Sequence, residues 1–378
     1  MAKPFRSIVL LLALLIPLLT ACGGGGQTAA SPSPQAAASP SSAASPEASP
    51  EASPEASPQA TAGAGGNASN VRVALVTDVG KVNDGTFNQF AYEGLVRARD
   101  ELGVQIDFIE TQQPTDYERN LDQFANQDYD LVIGVGFLMG EAVQAAAARH
   151  PDVNFAIVDY AYENPAPNLK GLIFNEDEAA YMVGTMAALV SKSNVIGVVG
   201  GIDVPAVQKF VKGYEAGAKA QKPDIRVLSV YIPSFTDPAA GAEAARSMIA
   251  EGADVIFGAG GQTGSGAIQA AAQQGAWVIG VDQDEYNTTF NRGAVQGADK
   301  LITSAIKRVD NAVFDTIKSV VEGNWSNEPY VGTTANGGVD YADCHDACAV
   351  ITPEIKAKVE EVKQGLANGT IKTNVTVE

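Results

Sequence analysis

Apolar and polar positions alternate along the chain in two registers. Short runs rich in β-branched residues fall at 71–77, 104–110, 130–135 and 153–159. Between them, apolar residues recur at helical spacing over 87–101, 117–126 and 138–149. A second series repeats the scheme, with strands expected at 195–199, 225–230, 255–257 and 277–281 and helices at 207–220, 239–251 and 264–273. Strands alternating with helices predict βαβ units and parallel sheets. A further helical pattern runs from the Gly293–Gly297 region through Glu322, and a last helix is expected near 353–366, with Pro353 in its first turn.

The two series match in detail. D-L-V-I-G-V-G-F-L-M-G-E-A-V-Q-A-A-A-A-R-H-P-D-V-N-F-A-I-V-D from Asp130 parallels D-V-I-F-G-A-G-G-Q-T-G-S-G-A-I-Q-A-A-A-Q-Q-G-A-W-V-I-G-V-D from Asp254. Both run strand, glycine loop, alanine-rich helix, strand, aspartate. The repeat predicts two similar Rossmann-like α/β lobes. Ligands in open α/β sheets sit beyond the carboxyl ends of the strands. Two facing lobes would therefore line one cleft with strand-end residues, and Asp159 and Asp282 become equivalent candidates.

The first such loop, D-V-G-K-V-N-D-G-T-F-N-Q, Asp78 to Gln89, offers Asn83, Asp84 and Asn88 as polar partners for a heterocycle edge. Asn83 and Asp84 also suit a cap for the helix that follows. Phe87, Phe137, Phe174 and Phe235 are candidates to stack on a flat group. Gly136 and Gly260 belong to the two glycine loops. Asp282 has the lone pairs to accept from two vicinal hydroxyls. Lys307, expected on a helix, could reach those hydroxyls or neutralise Asp282.

Other chemistry is poorly served. G-Q-T-G-S-G, Gly261 to Gly266, lacks the lysine of a P-loop and departs from the dinucleotide pattern. Ser265 has no histidine near it in the repeat, and the only histidines are His150 and His345. No catalytic constellation, metal site or cofactor is expected. A nucleoside hydrolase would need a carboxylate-rich catalytic or metal cluster that the chain does not assemble.

The ends add an address. Lys3 and Arg6 precede the apolar run Ile8 to Leu19, too short for an ordinary membrane span, so residues 1–21 read as a secretory signal. L-T-A-C resembles a bacterial lipobox, with Cys22 as the lipidated residue; a plain signal peptide is the alternative. Residues 22–70 hold G-G-G-G and repeated A-S-P and E-A-S-P units, a composition expected to form a disordered tether or wall spacer. The net charge of −19 becomes −21 once Lys3 and Arg6 leave with the signal, which argues against nucleic-acid binding. Cys344 and Cys348 in C-H-D-A-C admit a local disulfide, free thiols, or a metal site with His345 that lacks a fourth ligand.

Taken together, these motifs resemble the basic membrane lipoprotein family of PnrA-like ABC-transporter substrate-binding lipoproteins. The resemblance spans about 71–375. It is carried by D-x-G-x-x-N-D-x-x-F-N-Q from Asp78, G-V-G-F at Gly134–Phe137, and A-I-V-D ending at Asp159. F-x-x-x-E-A-A-Y-M-V-G from Phe174, K-F-V-K-G-Y-E-A-G from Lys209, S-F-x-D-P from Ser234 and G-V-D-Q-D ending at Asp284 complete it. It implies a type I periplasmic-binding-protein fold whose lobes close on a nucleoside, with a purine expected.

Phe87 and Phe235 would stack on the base, Asn83, Asp84 and Asp159 would read it, and Asp282 and Lys307 would hold the ribose. The resemblance further implies crossovers near Phe174, Asp282 and Gly323. The first lobe would be 71–173 completed by 283–323, and the second 174–282 completed by 324–378. Partners would be an ABC permease and its ATPase, and the protein a monomer tethered to the outer face of a bacterial cell membrane by its lipid alone. A sugar receptor of the same fold and a nucleoside-sensing surface lipoprotein without transport are the rival readings. Val79 and Lys81 around Gly80 depart from the family's more glycine-rich loop, and C-H-D-A-C is unlike it.

Overall fold

The computed structural model describes residues 70–377. The expected signal, Cys22 and almost all of the tether lie outside the described residues. Strands with apolar residues on both faces dictate sheets covered on both sides by helices. The first sheet contains β1 (Arg72–Thr77), β2 (Gln105–Glu110), β3 (Leu131–Val135), β4 (Asn154–Val158) and β5 (Leu169–Phe174). The second contains β6 (Val195–Gly200), β7 (Arg226–Tyr231), β8 (Val255–Ala259), β9 (Trp277–Asp282) and β10 (Leu301–Lys307). Two short late strands, β11 (Tyr330–Gly332) and β12 (Val339–Tyr341), each add to one sheet.

The strand orders are β11-β5-β4-β3-β1-β2 and β12-β10-β9-β8-β6-β7. The sheets are therefore copies of one plan, parallel except that β12 runs against β10. The helices of the first lobe are α1 (Phe87–Leu102), α2 (Tyr117–Ala125) and α3 (Gly140–Arg149). Those of the second are α4 (Glu176–Val190), α5 (Pro205–Gln221), α6 (Pro238–Ala250) and α7 (Gly261–Gln273). α8 (Val309–Val321) returns to pack on α1, and α9 (Pro353–Ala367) docks on α4 through Val359, Val362 and Leu366. Among the described residues, no helix is long and apolar enough to cross a membrane.

The last third departs from the expected division. The chain does not leave the second lobe near Asp282: β10 pairs in parallel with β9, placing 301–307 in the second sheet as a strand rather than a helix. Nor does it leave the first lobe near Gly323, because β11 pairs with β5. The crossovers lie at 174–176, 307–309 and 332–339. The physical reason is edge pairing: each sheet gains backbone hydrogen bonds for its outer strand from a segment distant in sequence. The crossing segments are stitched together, with Asn175 N donating to Gly332 O at 2.8 Å and Arg308 N to Gly338 O at 2.9 Å.

Candidate functional site

The carboxyl ends of both sheets face a shared cavity with a total void of about 650 Å³, its open mouth included. On the first lobe, Asp78 follows β1 and is tied to the end of β3 by its N–H, which donates to Val135 O at 3.0 Å. Gly136 has φ +118°, and a Cβ there would stand 2.0 Å from Asp78 Oδ2. Only glycine lets β3 turn away here while Asp78 keeps its place. Burial pushes the Asp78 carboxyl up to about 8, against the Val79 N–H that favours its ionised form.

Asp84 serves the backbone as much as the cavity. Its carboxylate accepts from the N–H groups of Thr86 at 2.8 Å, Asn88 at 3.2 Å and Gln89 at 3.1 Å, and so caps α1. Asn88 Nδ2 donates to Asp84 Oδ2 at 2.9 Å and to Val79 O at 3.0 Å. That leaves Asn88 Oδ1 buried, with no hydrogen-bond partner among the described residues, on a residue that lines the cavity. Phe87, in the first turn of α1, presents its ring beside it.

At the cavity floor stand the paired strand ends. Asp159 and Asp282 hold left-handed backbone, φ +72° and +65°. Such conformations cost free energy in a residue with a Cβ and concentrate at functional sites. Lys307, the last residue of β10, is fully buried, with Nζ 2.6 Å from Asp159 Oδ2 and 3.2 Å from Glu176 Oε1. The same Nζ lies 5.0 Å from the centre of the Phe87 ring. Burial alone would lower the Lys307 ammonium, but Asp159, Glu176 and Asp282 outweigh it and hold the group above its ordinary range.

Among the described residues, Asp159 Oδ1 has no hydrogen-bond partner. Asp282 is buried, yet among the described residues no protein group donates to its carboxylate. Burial raises Asp282 to about 7 and Asp159 to about 6, and in each the Lys307 charge opposes the rise.

The second lobe supplies the facing wall. Phe235, in the loop after β7, packs against Gly201, where a Cβ would lie 2.5 Å from its ring. Gly260 approaches Gly201 equally closely, just as Gly136 approaches Asp78 in the first lobe.

The structure thus gathers Asp78, Asp84, Phe87, Asn88, Gly136, Phe137 and Asp159 from one lobe with Phe235, Gly260, Asp282 and Lys307 from the other. Two expected residues are not among them. Asn83 is exposed and lines grooves outside the cavity, because capping by Asp84 turns the loop so that Asn88 points inward. Phe174 is buried against Tyr330, with ring centres 5.6 Å apart, because β11 covers the end of β5.

Phe210, Val204, Val207, Thr236 and Gln262 also line the cavity, beyond the residues that the sequence motifs single out. Val207 was within reach of the repeat, since V-Q-K-F from Val207 is the counterpart of F-N-Q-F from Phe87.

A family model described as Bmp, ABC transporter substrate-binding protein PnrA-like, matches residues 71–370. The chain belongs to this family. A Listeria monocytogenes protein named CD4+ T-cell-stimulating antigen is 34% identical to it over 327 residues, covering 81% of this chain and 88% of the relative. A Lactococcus lactis protein named ABC transporter nucleoside-binding protein BmpA is 34% identical over 317 residues, covering 80% and 89%. A crystal structure of ABC transporter solute-binding proteins from Aeropyrum pernix K1 superposes with a TM-score of 0.72 at 28% identity, covering 80% of this chain and 92% of that one. The PnrA-like assignment carries with it the type I solute-binding architecture and a role in binding solute for transport, with no bond made or broken.

Two features of this PnrA-like chain sit apart from the cavity. Cys344 and Cys348 form a disulfide, and His345 between them bonds Asp284 at 2.6 Å and stacks on Tyr286, so no metal site forms there among the described residues. The G-Q-T-G-S-G run opens α7, where Ser265 Oγ donates to the buried Glu285 at 2.7 Å.

Proposed function

We propose that the cavity captures a nucleoside, with a purine expected, and that the chain presents it to an ABC permease and its ATPase. The observation that carries this reading is Asp282. A buried carboxylate with no protein donor, beside a buried ammonium and below two phenylalanines from opposite lobes, matches a vicinal diol joined to a flat ring. In this reading Phe87 and Phe235 stack on the base, Asn88 and Asp159 accept from its edge, and Asp282 with Lys307 holds the ribose. Asp78 and Asp84 support that edge, and Phe137, Gly136 and Gly260 shape the walls. The name of the Lactococcus lactis relative, a nucleoside-binding protein, supports a nucleoside as the solute.

The same proposal takes residues 1–21 as a signal, Cys22 as the lipid anchor and 22–70 as a tether on the outer face of a bacterial cell membrane. The protein would act as a monomer without a cofactor. Calorimetry with inosine, guanosine, adenosine, cytidine and ribose tests the solute. Binding of nucleosides and not of ribose is the expected result; ribose alone would favour a sugar receptor, and no binding would overturn the proposal. Radiolabelled palmitate incorporation, lost in Cys22→Ser, tests the anchor.

A further inference from the structure

Two charged residues stand behind Lys307 without lining the cavity. Glu176, the first residue of α4, is 1% exposed and divides its carboxylate between two lysines. Its Oε1 lies 3.2 Å from Lys307 Nζ and its Oε2 3.0 Å from Lys209 Nζ. Lys209, on α5, also donates to the carbonyl of Phe174 at 2.6 Å. Phe174 is the last residue of β5, so this bond clamps the chain where it leaves the first lobe. Neither Glu176 nor Lys209 lines the cavity.

The division between lobes gives the network direction. Asp159 ends a strand of the first sheet, whereas Lys307 ends a strand of the second, and Glu176 and Lys209 lie on helices packed against that second sheet. Asp159 therefore faces Lys307 from the other sheet, whereas Glu176 is carried on a helix of the lobe that holds Lys307. A buried ammonium stripped of every counter-ion is strongly unfavourable. Were the lobes to part, Glu176 and Asp282 would stay with Lys307, Glu176 as its direct ion-pair partner, and Asp159 would be the partner gained on closure.

We propose that Glu176 and Lys209 are positioning residues for solute capture, coupling the aim of Lys307 to the bend of the 174–176 crossover. The proposal rests on the solute-capture reading above. The pair acts through Lys307 and the hinge rather than by touching the solute. Removing either charge also changes the field at Asp159, which is faced by Lys307 from β10, Glu176 from α4, Lys209 from α5 and Asp78 from the loop after β1. Asp282, on β9, is likewise influenced by Asp159, Lys307, Glu285 and Asp84.

The test uses the full chain carrying Glu176→Gln, Lys209→Met or the conservative Lys209→Arg. Spin labels at Gln112→Cys and Glu243→Cys, exposed positions on opposite lobes, report the interlobe distance without solute. Glu176→Gln and Lys209→Met should shift or broaden that distance, and Lys209→Arg should restore the parent distribution. With inosine as the probe, both should weaken binding at pH 7 by about tenfold or more, and their pH profiles should move in opposite directions.

Glu176→Gln removes a negative neighbour of Asp159, so binding should persist to lower pH. Lys209→Met removes a positive one, so binding should fail at higher pH. Parent-like distances in both variants, or pH limbs that move together, would overturn the proposal. Absence of inosine binding by the parent would count against the nucleoside reading alone, and the distance measurement would still decide this one. Should Glu176→Gln fail to fold, Lys209→Met decides, its side chain reaching the surface at 26% exposure.

Discussion

Asp159, just after β4, and Asp282, the last residue of β9, hold the same left-handed conformation at equivalent places in the two sheets, yet Lys307 pairs directly with Asp159, at 2.6 Å, and among the described residues nothing donates to Asp282. One aspartate joins the lobes and its twin faces the cavity. The symmetry of the fold is broken where chemistry requires it: the position equivalent to Lys307 at the end of β5 is Phe174, a core residue.

Asp282→Asn keeps the shape of the site and removes its charge. Loss of charge-assisted hydrogen bonds to the solute is worth about 1.5–3 kcal/mol, so inosine affinity should fall roughly 10- to 100-fold in calorimetry. The melting temperature should hold or rise, because a buried carboxylate without a donor opposes folding. Equal affinity in variant and parent would remove Asp282 from the site.

Stability of the solute-free protein should decline with rising pH. Burial raises Asp78 to about 8 and both Asp282 and Glu285 to about 7, against ordinary values of 3.8 for aspartate and 4.5 for glutamate. Between those limits the native state binds more protons than the unfolded chain. The contribution is full below about pH 4 and lost as pH climbs through 7 and 8. Urea unfolding should give a lower midpoint at pH 8.5 than at pH 5, and Asp78→Asn should flatten the difference. A flat parent profile would contradict the assignment.

Gly136→Ala should both destabilise and disable. The new Cβ meets Asp78 Oδ2 at 2.0 Å on a backbone at φ +118°. Backbone strain of this kind costs about 1–3 kcal/mol before any displacement of Asp78 is counted. Gly103→Ala is the control: it shares a positive φ of +74° but meets nothing within 4 Å. It should lower the melting temperature and leave inosine affinity intact, whereas Gly136→Ala should lose both.

The Cys344–Cys348 disulfide closes a very short loop away from the cavity. Loop-closure entropy assigns such a link about 2 kcal/mol. Replacing both cysteines by serine should lower stability by that order in denaturant unfolding and leave inosine affinity unchanged. A large affinity loss would show that the loop, through His345 and Asp284, governs Asp282 two residues away.

By itself the sequence determined the repeat, the strand–helix alternation and the strand-end loops. Each is written in local periodicity or in the similarity of one half to the other. Asp159, Asp282, Phe87 and Phe235 were legible for that reason, and Cys344 and Cys348 could be suspected as a pair. Where the last third belongs is settled by pairing between strands distant in sequence. L-I-T-S-A-I-K, Leu301 to Lys307, carries β-branched residues, but its strand state depends on pairing with β9 across the intervening loop.

Side-chain direction was equally non-local. Asn88 rather than Asn83 faces the cavity because Asp84 caps α1, and Phe174 is core because β11 pairs with β5. The Glu176–Lys209 bridge joins a crossover to a helix more than thirty residues on. Local pattern specifies which elements form; the pairing of distant strand edges and the need of each buried charge for a partner specify what meets at the site.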